Sequence, residues 1–418
     1  MVGTLGGIVT KTKEATLTER ASHRPFRVAL IGDFSARSSR GEAPRGGRLA
    51  GVTPLLIDSE DFGEVMGRVG IELRLSREGE ETLSFRFQAL DDFHPDKLCQ
   101  TEPVESFRKK LEPGGAGQAL GDYLRAIVGH PQFQTLESAW RSVGFLLSRL
   151  ETGSNLRIEL IDITREEMVT DMLASDDMSA SGLYRMLVEE AVGTPGQAPW
   201  SALAPLDLFA PRDHDLLALE RLAGIARLAG APLLAGADPA FAGCHSVTAC
   251  PDTDKWKQPL ENSIRRMWEE LRRHSAAAWI GLAMPRFLLR LPYGQETAPV
   301  ASFGFEEMPE PPRHDGYLWG SAGVACVCLL GYAYNRHGWN FRPGKVSKLE
   351  GLPVHTFTRE GLSVMMPAAE VSLTDKATEH IMEMGIMPLG AVKNSDAIQL
   401  LRFQSIAMPP RPLAGPWD

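Results

Sequence analysis

The stretch from His130 to Glu167 constrains this chain most, because it spells out a helix, a strand and the start of a second helix without a gap. Phe133, Leu136, Trp140, Val143, Leu147 and Leu150 recur at alternating spacings of three and four, which places them on one stripe of an amphipathic helix. Pro131 suits the first helical turn. Gly153 is placed to end the helix in a left-handed cap, after which Leu156 to Ile163 reads as a strand. Thr164 and Glu167 then form a capping-box pattern that opens another helix. The unit carries packing residues and no catalytic ones. With the strands described below, it predicts an α/β fold of mixed sheets with flanking helices.

Composition narrows the function classes. A chain of 418 residues can hold two or three domains, and 43% hydrophobic with 23% charged residues is ordinary globular usage. Net charge of −9 with a pI near 5.7, and no basic block, argues against nucleic-acid binding. Arg108–Lys110 and Arg265–Arg266 read as solvated helix faces. Five cysteines make no disulfide framework and fit a reducing compartment. MVGTLGGIVTKTKE has no secretory pattern, and the apolar run Ala322–Tyr334 is too short to span a membrane. A cytoplasmic protein is expected.

Residues 1–25 are polar and without period, which predicts a flexible arm. Phe26–Ile31 reads as a buried strand entering the Gly/Arg-rich loop 35–48, and Leu55–Ile57 as a second strand. Asp58 or Ser59 is placed to cap a helix through Phe62, Val65, Met66 and Val69. Ile71–Leu75 and Leu83–Phe87 alternate cleanly around SREGEE, a hairpin with one buried face. A helix is expected from about Asp96 to Leu111, and Pro113–Gly117 is the most obvious linker. Further on, two helices surround DDMSASG, a long helix follows Asp213–Asp215, and another spans Leu260–Arg273 beside Trp256 and Trp268. Pro285–Tyr293 reads as extended, Ser321–Tyr334 as a buried helix, and LPVHTF and MPLGAV as strands. Thr374 is placed to cap a helix on which Asp375, Glu379 and Glu383 stand four apart.

Several groupings have the residue types of chemistry without its spacing. The 35–48 loop contains neither G-x-x-x-x-G-K-[ST] nor G-x-G-x-x-G opening a helix, so it is read as a basic loop. Asp91, Asp92, His94 and Asp96 suit turns and a helix cap. Asp213, His214 and Asp215 are consecutive at a helix start and do not converge, so they read as helix-dipole partners. Cys244, His245 and Cys250 lack a fourth ligand at zinc-site spacing, and Cys326 and Cys328 sit in an apolar run. No catalytic, cofactor or metal site is predicted. Arg286 and Arg290 alternate with apolar residues, so a buried guanidinium there needs a bidentate carboxylate; Glu306 or Glu307 is the expected partner, and Arg286 the expected member of the pair.

The opening stretch, HPQFQTLESAWRSVGFLLSRLETGSNLRIELIDIT, closely resembles the large subunit (TssC) of the type VI secretion contractile sheath. WIGLAMPRFLLRLPYG (279–294), SFGFEE (302–307), GYLWGSAG (316–323), GLPVHTF (351–357) and MGIMPLGAVKNSDA (384–397) resemble the same family in the same order, across residues 123–408. The first block resembles the sheath's small subunit (TssB): RVALIGDFSAR, IDSEDFGEVM and SFRFQALDDFHPDKL match it over residues 26–111. The loop GTPGQAPWSALAPLDLF departs from the large-subunit pattern, with one glycine of a pair and the expected tyrosine missing.

These resemblances imply a fused arrangement: a small-subunit-like domain at 26–112, a Gly-rich linker at 113–121, a large-subunit-like domain at 122–408 and a Pro-rich tail at 409–418. They imply a non-enzymatic structural subunit, without cofactors, that polymerises around an inner tube. Implied partners are copies of itself, the tube protein, baseplate proteins and an AAA+ recycling ATPase. Asp375, Glu379 and Glu383 would then form a tube-facing helix. The chain is expected to lack the large subunit's usual C-terminal extension and N-terminal ATPase-contacting helix. A sheath-like cap, terminator or baseplate-associated factor is therefore the alternative expectation.

Overall fold

The computed structural model describes residues 24–42, 49, 51–76, 81–111, 116–194, 197–250, 252–309 and 311–417. The expected arm lies outside these residues except for Arg24 and Pro25. So do residues 43–48 and 50 at the Gly/Arg loop and 112–115 at the linker.

The strands are β1 (Phe26–Gly32), β2 (Leu55–Ile57), β3 (Ile71–Leu75), β4 (Leu83–Phe87), β5 (Leu156–Asp162), β6 (Ala202–Pro205), β7 (Leu208–Phe209), β8 (Leu233–Ala237), β9 (Ile280–Met284), β10 (Phe287–Leu288), β11 (Trp319–Gly320), β12 (Lys348–Leu349), β13 (Thr356–Arg359), β14 (Leu362–Met365), β15 (Met387–Ala391) and β16 (Ile398–Leu400). The main helices are α1 (Phe62–Val69), α2 (Glu102–Lys109), α3 (Ala116–Val128), α4 (Pro131–Leu147), α5 (Arg165–Leu173), α6 (Asp213–Ala229), α7 (Asn262–Arg273), α8 (Ala322–His337) and α9 (Asp375–Glu383).

One mixed sheet runs β12-β16-β15-β9-β8-β6-β1-β5-β2, with β7 also on β8. From β5 to β9 and on to β15 the pairings are parallel; β2, β16 and β12 join antiparallel at the two margins. Parallel strands are covered on both faces, which explains the nearly unbroken apolar run of β1. Phe26, Val28 and Leu30 point to the side of α4 and α8, whereas Ala29 and Ile31 point to the side of α5, α6 and α7.

β1 lies between β5 and β6, in register from Phe26↔Leu156 to Gly32↔Asp162 on one side and from Val28↔Ala202 to Ile31↔Pro205 on the other. The N-terminal block thus supplies a central strand to the sheet of the remainder. It also packs on α4. Phe87 stacks on Phe93 at 4.3 Å, and both meet Phe133 edge-on. Trp140 is fully buried, sits 5.5 Å from Phe34 and donates Nε1 to the Phe34 carbonyl at 2.9 Å. Phe133, Leu136, Trp140, Val143 and Leu147 are all buried.

Local differences from the sequence reading have identifiable causes. α4 closes at Ser148 in right-handed conformation, and Gly153, with φ of 146°, turns the chain into β5 five residues later. The capping box at Thr164 and Glu167 is made in both directions, at 3.0 and 3.1 Å. Between Asp96 and Leu111 the helix breaks into Pro95–Leu98 and α2, because Pro103 has no N–H and its ring bars a continuous helix through 99–102. After DDMSASG the second helix is a short turn running into a π-helical stretch, Arg185–Glu189. α7 starts at Asn262 and leaves Trp256 in the preceding loop. Of Pro285–Tyr293, only β10 forms a ladder, with β11. The tail is docked: Ala414 donates to the Ala278 carbonyl at 2.8 Å, and buried Trp417 lies 5.5 Å from Phe341.

Candidate functional site

Four features stand out from the apolar framework: a buried charge network, a crevice at the sheet's carboxyl edge, an acidic helix and an uncovered hairpin.

The network is built on α4. Its buried residues are apolar except for Ser142 and Glu137, and Glu137 is completely buried. Arg290 reaches both its oxygens, Nε to Oε1 at 2.7 Å and Nη2 to Oε2 at 3.0 Å. The same guanidinium takes Glu307 with a second pair of bonds, 2.7 and 2.9 Å. Arg141, one turn along α4, adds a third contact to Glu137 at 2.6 Å and holds the Tyr293 hydroxyl at 3.0 Å. Burial alone would raise the Glu137 carboxyl, but Arg290 and Arg141 outweigh it and hold it below the usual range. Burial pushes the Tyr293 hydroxyl up to about 12.

The sequence expectation of an Arg286 pair with Glu306 or Glu307 needs correcting. Glu307 goes to Arg290, and Glu306 accepts the Gln295 N–H at 3.0 Å. Arg286 instead donates Nη2 to Glu370 at 2.6 Å. The backbone decides this: Phe287 bridges Ala369, and Glu370 N–H bonds the Arg286 carbonyl at 3.0 Å, which lays segment 366–370 alongside. No periodicity in PAAEVS marks Glu370 as the partner.

Burial would raise the Glu370 carboxyl; His314 and Arg286 more than offset it and bring it to about 2. A depressed folded-state value contributes stability that is present above the unfolded value and lost as pH falls through the folded one. Between about pH 4.5 and 2, then, on the order of 3 kcal/mol of stability should disappear. In denaturant titrations across that window, Glu370→Gln should show a shallower acid dependence than the parent chain.

The crevice lies where the strand order reverses. From β1 the chain fills the β5 side, then crosses to β6 on the other side, so the carboxyl ends of the three strands part. Gly32, Asp33, Thr164, Arg165, Leu206 and Asp207 line the opening, which measures about 860 Å³ and continues between α4, Arg286 and residues 314–321. Arg165 bonds buried Asp215 at 2.6 Å, and Asp215 also accepts the Ala210 N–H. His214 is exposed but brings Nε2 within 3.4 Å of the Asp215 oxygen that Arg165 bonds, while Asp213 is exposed, so two of the Asp213–His214–Asp215 triplet come together, at a helix start. Burial, with Asp33 and Asp215 nearby, raises the Asp207 carboxyl against the pull of Arg165.

The remaining candidates resolve into structure. Asp92 accepts the Gln88 and Ala89 N–H groups, and Asp96 those of Ala301 and Ser302. All five cysteines are free thiols; burial raises Cys326 and pushes Cys328 up to about 12. Among the described residues, no grouping of three His, Cys, Asp or Glu is placed to hold a metal, and no helix is long and apolar enough to cross a membrane.

α9 is capped by Thr374, buries Ala377 and Ile381, and leaves Asp375, Glu379 and Glu383 exposed. A spacing of four keeps these three on one ridge. β13 and β14 form an antiparallel hairpin whose turn residues, Glu360 and Gly361, both have positive φ, as a two-residue type I′ loop requires. Leu362 is 71% exposed and Met365 43%. Neither strand pairs with a third among the described residues.

Comparison with known proteins fits this architecture. Residues 117–407 match the VipB family, described as the EvpB/VC_A0108 tail sheath N-terminal domain. Residues 12–137 match the type VI secretion system VipA family (VC_A0107 or Hcp2). The type VI secretion system sheath protein TssC1 of Pseudomonas aeruginosa is 30% identical over 357 residues, covering 79% of this chain and 72% of that protein. The two family matches meet on α3 and the first turns of α4, the region that joins the N-terminal block to the rest. The chain therefore belongs to the type VI secretion sheath proteins, with a small-subunit-like segment and a large-subunit-like segment in one polypeptide.

Proposed function

We propose that this chain is a structural, non-catalytic subunit that polymerises with copies of itself into a sheath around an inner tube. The observation that carries the reading is the β13–β14 hairpin. A two-stranded hairpin in water is marginally stable alone, yet this one presents Leu362 and Met365 and two open edges. Such a surface suits burial against another subunit. Contraction would be stored in alternative packings of subunits, not in chemistry on the chain. The acidic ridge of α9 is the proposed tube-facing surface. Baseplate proteins and an AAA+ recycling ATPase are the further proposed partners, and free thiols on all five cysteines suit a cytoplasmic site of action.

Negative-stain microscopy of the purified chain tests this, with long hollow cylinders as the expected result. Closed rings would favour a cap or terminator, and monomers at high concentration would contradict polymerisation. Converting Asp375, Glu379 and Glu383 together to Lys should leave the melting temperature within a few degrees, since all three are exposed. Co-sedimentation with the cognate inner tube should be lost.

A further inference from the structure

Two cysteines without a role in the packing or the assembly face each other in the loop that follows β8. Gly243 opens this loop in left-handed conformation, with φ of 73°. Gln258 donates its N–H to the Gly243 carbonyl at 3.2 Å, which ties the two limbs of the loop together. A Cβ on Gly243 would stand 3.1 Å from the Gln258 carbonyl oxygen and 3.2 Å from that of Trp256. Between the limbs, Cys250 donates its N–H to the Ser246 carbonyl at 3.0 Å, so residues 246–250 close as one helical turn. Cys244 caps that turn. Its Sγ accepts the Ser246 N–H, and the Cys250 thiol lies within hydrogen-bonding reach of the same sulfur.

Access separates the two thiols from each other and from the rest. Cys250 alone of the five cysteines is not fully buried, so a small oxidant reaches it first. Cys244 is 3% exposed, and burial raises its thiol, which makes it a poor first target but keeps it beside Cys250. The turn is also tied to α9. The Cys250 carbonyl accepts Trp256 Nε1 at 2.7 Å, and the Trp256 ring meets His380 of α9 edge-on at 5.9 Å. Lys376 of α9 pairs with Asp254, and His380 Nε2 donates to the Ala242 carbonyl at 3.0 Å. The loop therefore holds α9 from both sides of the cysteine pair.

We propose that Cys244 and Cys250 form a reversible dithiol–disulfide switch that stiffens the loop beneath α9. The oxidant is hydrogen peroxide. The Cys250 thiolate attacks one peroxide oxygen, the O–O bond breaks, and hydroxide leaves, giving a sulfenic acid at Cys250. The Cys244 thiolate then attacks that sulfur: the S–S bond forms, the S–O bond breaks, and a second hydroxide leaves. The two thiol protons convert both hydroxides to water, and two electrons pass from the thiols to one peroxide. An external dithiol reverses the change by exchange. A bond across the turn fixes the Cys250 carbonyl, and through it Trp256 and α9. The switch does not rest on polymerisation, so its test and the microscopy fail independently.

The test treats the full-length chain with hydrogen peroxide, then digests it with trypsin for mass spectrometry. Residues 228–254 contain no Lys or Arg, so both cysteines fall in the peptide 228–255. That peptide should become lighter by a pair of hydrogens before Cys99, Cys326 or Cys328 is modified, and dithiothreitol should restore it. Cys244→Ser, with its folding checked by circular dichroism, should strand the sulfenic acid at Cys250, where dimedone labelling should exceed that of the parent by about tenfold or more. Cys250→Ser should leave the peptide unchanged by peroxide. Amide exchange across 253–258 and α9 should slow roughly threefold or more when the parent is oxidised, and in neither variant. Equal dimedone labelling of the parent and Cys244→Ser would overturn the disulfide, as would oxidation spread evenly over the five cysteines. A disulfide that formed without slowing exchange in α9 would overturn the coupling between them.

Discussion

Replacing Glu137 by alanine should cost about 3–5 kcal/mol of folding stability, the usual penalty for removing one partner of a buried ion pair. Glu137 is 0% exposed and Arg290 8%. Without Glu137, the Arg290 guanidinium keeps only Glu307 as a carboxylate partner, and Arg141 loses its carboxylate as well. Chains of this kind hold only about 5–15 kcal/mol in total, so a large share of the margin would go, and urea unfolding should show it as a lowered midpoint. The effect is asymmetric. Removing the buried partners as well, as Glu137→Ala with Arg290→Met and Glu307→Gln, should recover most of the loss, because neither Arg290 nor Glu307 is then left buried as a lone charge. A single variant as stable as the parent would mean that water reaches Arg290, contrary to its burial.

The same network shows what could and could not be read from sequence. The α4 stripe was legible because a period of three and four leaves few alternatives, and the capping box at Thr164 and Glu167 because both partners lie three residues apart. β1 was legible as a strand, since a short apolar run ending in Gly-Asp bounds itself. Its place between β5 and β6 was not, because that depends on residues about 130 and 175 positions away along the chain. The need of Arg286 and Arg290 for carboxylates was visible in their alternation with apolar residues. Which carboxylate each would find depended on the bridge between Phe287 and Ala369, and Glu137 was hidden inside a stripe read for its apolar members.

The two family-like segments share one sheet and should fold as one unit. β1 contributes seven buried residues between β5 and β6. Without it, both neighbours lose a parallel ladder and apolar surface opens on both faces of the sheet. The direct test is to cut the chain within residues 112–115, produce the two pieces together and separately, and follow their unfolding by circular dichroism. Together they should purify as a one-to-one complex with a single cooperative transition, and the piece from residue 116 onward should show none when made alone. If that larger piece alone unfolded cooperatively at the temperature of the intact chain, the shared sheet would not be what holds the fold, and the account would be contradicted.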